Sequence, residues 1–144
     1  MIFGSKAKRD KPVILHVDDE KLNRDLMRDL LGDYGAEVLS AEGGADGVKM
    51  ALKHLPNLIL MDITMPGVNG FDACKAIKSD SACKDIPIIM LTGMDQLKDV
   101  EKAFAFGASG YITKPIEIQR LHDTLDRWLP KSSTAPRPPN QNPQ

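Results

Sequence analysis

The sequence predicts an α/β fold, a doubly wound five-stranded parallel sheet with helices on both faces, and three observations carry that expectation. Strand-like and helix-like segments alternate five times between Pro12 and Trp128, a pattern that short right-handed crossovers wind into one parallel sheet. Residues 13–17, 58–61 and 87–91 form apolar runs, broken only by His16 and Pro87, as strands covered on both faces do. Four of the five strands end on a polar side chain, and in a parallel sheet those ends share one edge.

Pro12 opens the first strand, Val13-Ile-Leu-His-Val17, and the acids Asp18-Asp19-Glu20 follow it. A helix comes next, with Leu22, Leu26 and Leu30 on one stripe, Met27 and Leu31 beside it, and Gly35 as its stop. Residues 37–41 make a short strand. Gly43-Gly44 leads into a helix with Val48, Ala51, Leu52 and Leu55 on one face, ended by Pro56. The third strand runs through Leu58-Ile-Leu-Met61 into Asp62 and then into a turn containing Pro66, Gly67 and Gly70. Phe71, Cys74 and Ile77 mark the third helix, and residues 80–85 a polar loop. The fourth strand, from Pro87, ends on Thr92. Asp95 is the expected N-cap of a fourth helix carrying Leu97, Val100 and Phe104 and closed by Gly107. Leu97 and Phe104 are expected to pack, while Phe106 is open between core and docking surface. A fifth strand, Gly110-Tyr-Ile-Thr, leads to Lys114-Pro115, and the last helix presents Ile118, Leu121, Leu125 and Trp128.

At 144 residues the chain is long enough for one domain with a core of its own. We expect a flexible basic segment over residues 1–11, the domain over 12–130, and a disordered tail over 131–144, where Pro, Ser, Asn and Gln replace apolar residues. A net charge of −1 gives no electrostatic reason to expect nucleic acid or an anionic membrane as a direct partner. No signal peptide or membrane span is recognisable, so the chain reads as cytoplasmic. Cys74 and Cys83 have no metal-ligand spacing and read as reduced structural thiols. His16, within an apolar strand, reads as a hydrogen-bonded core residue, and His54 and His122 have no partners of matching type. Gly43, Gly44 and Gly47 fit no nucleotide-binding spacing.

The strand ends carry the chemistry. Asp18-Asp19, Asp62, Thr92 and Lys114 converge on one edge, where carboxylates repel one another and a divalent cation relieves the repulsion. Hard oxygen ligands suit Mg²⁺, with Mn²⁺ as an alternative. A carboxylate beside such a cation can attack a phosphoryl group, and the Lys114 ammonium and Thr92 hydroxyl could each contact an oxygen that gains charge.

Val17-Asp18-Asp19-Glu20, Leu60-Met61-Asp62-Ile-Thr-Met-Pro66-Gly67 with Gly70, Leu91-Thr92-Gly93 and Tyr111-Ile-Thr-Lys114-Pro115 resemble, in order and spacing, the four motifs of response-regulator receiver domains of two-component signalling. The resemblance covers about residues 12–130. It implies a flavodoxin-like strand order of 2-1-3-4-5, Asp62 as phosphoacceptor, and a metal held by Asp18, Asp19, Asp62 and the main-chain carbonyl of Thr64, with Asp18 acting largely through metal-bound water. It further implies Thr92 as switch hydroxyl, Lys114 as phosphate-binding lysine, Pro115 after a cis bond and Tyr111 as switch aromatic. Thr64 and Met94 occupy the two positions at which members tune hydrolysis of the phosphoryl group.

The implied function is a stand-alone receiver that takes a phosphoryl group from a sensor histidine kinase or histidine phosphotransfer protein. It then changes its affinity for a target protein through the face formed by the fourth helix, fifth strand and fifth helix. On this reading it is a switch and not a metabolic enzyme. A relay intermediate passing the group onward is the alternative within the family. An aspartate-nucleophile phosphatase needs a second acid two residues after the nucleophile, where Thr64 stands, and a flavin carrier would not need the acid cluster.

Overall fold

A computed structural model describes residues 9–63, 67, 69–93 and 98–129. Its elements are β1 (Val13–Val17), α1 (Lys21–Tyr34), β2 (Glu37–Ala41), α2 (Gly44–His54), β3 (Leu58–Asp62), α3 (Gly70–Lys78), β4 (Ile88–Thr92), α4 (Val100–Ala105), β5 (Gly110–Thr113) and α5 (Ile118–Trp128). The strands form one parallel sheet in the order β2-β1-β3-β4-β5, as expected. Every residue of β1, β3 and β4 is buried, which is why their sequences do not alternate in polarity. The edge strands β2 and β5 are partly exposed.

Alternation persists in space. Ile14, Leu58, Leu60, Ile89 and Leu91 point to one face, against Met27 and Leu31 of α1 and Leu121 and Leu125 of α5. Leu15, Val17, Ile59, Met61, Ile88 and Met90 point to the other, against Ala51 of α2, Cys74 and Ile77 of α3 and Ala103 of α4. Two cores therefore sandwich the sheet and hold its strand ends at fixed heights. The registers Val17↔Met61, Asp62↔Leu91 and Thr92↔Thr113 level the carboxyl ends of β1, β3, β4 and β5.

Helix ends follow local chemistry. Gly35 takes φ +106°, and its N–H bonds to the carbonyls of Gly32 and Leu31, closing α1. Asn69 caps α3, its side chain accepting from the Asp72 N–H at 2.9 Å. The basic end of the first segment is tied down, since Arg9 donates to the His54 carbonyl at 2.5 Å and to Asn57 Oδ1 at 3.3 Å. Asp95, Leu97 and the tail over 131–144 lie outside the described residues; in the described part of that region, α4 starts after Asp99.

Several expected helix faces are corrected. Leu22 is 68% and Leu26 54% exposed, while Met27 and Leu31 are buried. Met27 and Leu31 pack on the sheet, Asn23 and Arg24 on the same side reach back to Asp18, and residues 22 and 26 turn to solvent. In α2 the small residues Gly44, Gly47 and Ala51 face inward, and a Cβ on Gly47 would lie 2.9 Å from Val17 Cγ2. Leu52, one position off that face, is exposed. Phe104 and Ile118 are likewise exposed rather than packed, because Ala103 and Leu121 take the inward positions. Phe106, left open by the sequence, packs on the core with its ring 5.9 Å from that of Phe71.

Candidate functional site at the carboxyl edge of the sheet

β3 delivers Asp62 to the edge, where it is 5% exposed. The backbone continues under tight constraint: Ile63 N–H bonds to the Leu91 carbonyl at 3.2 Å, and Gly70 N–H returns to the Ile63 carbonyl at 3.1 Å. A side chain at Gly70 would overlap the Asp62 main-chain carbonyl oxygen. Only glycine therefore lets α3 start this close beneath the acid.

β1 delivers Asp18, which is 1% exposed. Its Oδ1 accepts from Glu20 N–H at 2.9 Å and its Oδ2 from Asn23 Nδ2 at 3.3 Å. Arg24 Nη1 donates to its main-chain carbonyl at 2.9 Å. Asp19 is exposed beside it. One carboxylate oxygen from each of Asp18, Asp19 and Asp62 lies within 4.8 Å of the others.

From β5, Lys114 N–H bonds to the Thr92 carbonyl at 2.7 Å, which aligns the loop so that Lys114 Nζ stands 3.3 Å from Asp62 Oδ1. The Lys114–Pro115 bond is cis, as the resemblance implied. Thr92 is fully buried, its hydroxyl donating to the Gly93 carbonyl at 3.2 Å. Tyr111 lies 36% exposed on the outer strand. The structure thus brings Asp18, Asp19, Asp62 and Lys114 together and sets Thr92 at the adjacent strand end. Thr64 and Met94 fall outside the described residues.

Three carboxylates this close, two of them buried, hold more negative charge than the Lys114 ammonium offsets. A donor set of carboxylate oxygens is the kind a hard divalent cation takes, so the residues present fit Mg²⁺.

His16 corrects one expectation. It is 1% exposed, yet neither ring nitrogen has a hydrogen-bond partner among the described residues, and Nε2 stops 3.8 Å from Asp18 Oδ2. Burial lowers its pKa to about 4, with Asp18 opposing and Lys114 and Arg24 adding to the shift, so the imidazole is neutral near pH 7. A cavity of about 420 Å³ lies beside it, lined also by Asp18, Leu26, Leu91, Lys114 and Pro115. The sequence reading missed Asn23 and Arg24 as supports of Asp18. Their place one turn beyond the acid pair, on the inward side of α1, was the available signal.

An acid cluster, a lysine and a buried hydroxyl on the carboxyl edge of a doubly wound sheet define a receiver-type signalling domain. Residues 14–126 match the response regulator receiver domain, and the chain belongs to that family. Protein PilH of Pseudomonas aeruginosa is 39% identical over 116 residues, which cover 81% of this chain and 96% of PilH. The structure of chemotaxis protein CheY4 of Vibrio cholerae superposes with a TM-score of 0.78 at 34% identity, covering 83% of this chain and 99% of CheY4. The receiver domain of sensor histidine kinase PA1611 of P. aeruginosa, solved with magnesium coordinated in its active-site cleft, gives 0.77 at 29% identity, covering 82% of this chain and 97% of that one.

Proposed function

We propose that the chain accepts a phosphoryl group onto Asp62 from the phosphohistidine of a sensor kinase or phosphotransfer protein, and that this changes its affinity for a target protein. The observation that carries the reading is the buried Asp62 carboxylate, 3.3 Å from the Lys114 ammonium and within 4.8 Å of the Asp18 and Asp19 oxygens. An Asp62 oxygen forms the bond to phosphorus while the phosphorus–nitrogen bond to the donor imidazole breaks, and the proton on the other ring nitrogen leaves the donor neutral. Lys114 pairs with a phosphoryl oxygen, and the Thr92 hydroxyl, released from the Gly93 carbonyl, donates to another. Asp18, Asp19, Asp62 and the Thr64 carbonyl would hold Mg²⁺, which when bound neutralises charge on the phosphoryl oxygens. The magnesium in the related PA1611 receiver domain supports this cofactor.

Movement of Thr92 frees space toward which Tyr111 turns, and this biases a pre-existing equilibrium on the outer face. That face carries a groove lined by Phe104, Tyr111, Arg120, Asp123 and Trp128, in which apolar rings sit among charged groups as in protein-binding surfaces. NMR spectra with and without beryllofluoride and Mg²⁺ test the switch. Shifts at Phe104, Tyr111 and along α5, absent in Asp62→Asn, are expected. Shifts confined to the acid pocket would contradict it.

A further inference from the structure

A buried imidazole with both nitrogens unbonded among the described residues is costly to keep, and the other four residues of β1 are buried aliphatics. The Asp18 carboxylate, just past the end of β1, stands 3.8 Å from His16 Nε2, just beyond hydrogen-bond reach. We infer that His16 is a positioning residue for the cation site, its Nε2–H donating to Asp18 Oδ2 when the divalent cation is bound; this rests on the cation reading above.

The electrostatics select the tautomer. With the proton on Nδ1, the Nε2 lone pair would face a carboxylate oxygen and an unpartnered N–H would be buried. With the proton on Nε2, the N–H dipole points its positive end at Oδ2, and the bare Nδ1 is the less demanding group to leave unpaired. Asp18 is already held at Oδ1 by Glu20 N–H and at Oδ2 by Asn23. A third donor fixes the plane of the carboxylate and leaves the remaining lone pairs for the cation. Hydrogen bonds to a ligating group from the surrounding shell are worth about 10- to 100-fold in metal affinity. Aliphatic residues would serve β1 better as a strand, so His16 trades stability of the cation-free chain for affinity.

The test compares wild type, His16→Val and His16→Gln by three measurements. Long-range ¹⁵N spectra of wild type with Mg²⁺ should show the Nε2–H tautomer. Titration with Mg²⁺, followed at the Asp18, Asp19 and Asp62 amides, should give a dissociation constant about tenfold weaker in His16→Val, partly restored in His16→Gln, whose amide still donates. Melting of the cation-free proteins should place His16→Val above wild type. A merely structural histidine would give the opposite melting order with unchanged Mg²⁺ affinity, and that pair of results would overturn the inference, as would an Nδ1–H tautomer. No response to Mg²⁺ in wild type would overturn the cation reading together with this one, whereas normal wild-type binding matched by His16→Val overturns this one alone.

Discussion

Gly70 shows how a residue without a side chain shapes the acid pocket. A Cβ there would overlap the Asp62 carbonyl oxygen and lie 2.9 Å from Ile63 Cα, and both are backbone atoms that cannot swing aside. Gly70→Ala should destabilise the fold by about 1–3 kcal/mol in denaturant unfolding, the range for forced overpacking, and should lower phosphorylation of Asp62 as well. A variant as stable as wild type would mean that α3 can retreat without disturbing the acid. Met94 stands at one of the two positions read as tuning hydrolysis, and a thioether holds an attacking water poorly. Met94→Glu should therefore shorten the lifetime of the phosphorylated protein by roughly tenfold, or about 1.4 kcal/mol of barrier, with phosphorylation little changed. Equal decay rates would sink that assignment. At this scale the sequence showed which side chains meet, because Asp62 and Thr92 end their strands and Asp18 and Lys114 directly follow theirs. It hid the state of His16, whose lack of hydrogen-bond partners among the described residues is a property of the packed interior and not of residue type.

Among the elements, strands were more legible than helix faces, for a physical reason. A strand buried on both sides declares itself by composition alone, as β1, β3 and β4 do. A helix face depends on rotation, and in α1 burial of Met27 and Leu31, joined by bonds from Asn23 and Arg24 to Asp18, turns Leu22 and Leu26 outward. Paired substitutions in α1 separate the two faces. Leu31→Ala, at a fully buried position, should cost about 2–5 kcal/mol of unfolding free energy. Leu22→Ala, at an exposed one, should stay within about 0.5 kcal/mol. Similar losses at both would restore the leucine stripe as the inward face. The same reasoning explains α2 and α4, where Ala51 and Ala103 are buried and the larger Leu52 and Phe104 look outward.

For the whole molecule, five alternating pairs were enough to predict one parallel sheet with two covered faces, and the structure has that arrangement. Alternation alone does not fix the strand order, which came from the four-motif resemblance and agrees with the sheet observed. The convergence of Asp18, Asp62, Thr92 and Lys114 then follows from level registers across four strands, so the acid pocket is a consequence of topology rather than of any one loop. The claim that rests on this convergence is that Asp62 is the phosphoacceptor and that its phosphorylation needs a divalent cation. The most direct measurement is intact-protein mass after incubation with acetyl phosphate, with Mg²⁺ or with chelator, for wild type and Asp62→Asn. The account predicts one added phosphoryl group in wild type with Mg²⁺, and none in the chelated sample or in Asp62→Asn. Label that survives chelation, or that persists in Asp62→Asn, would contradict it.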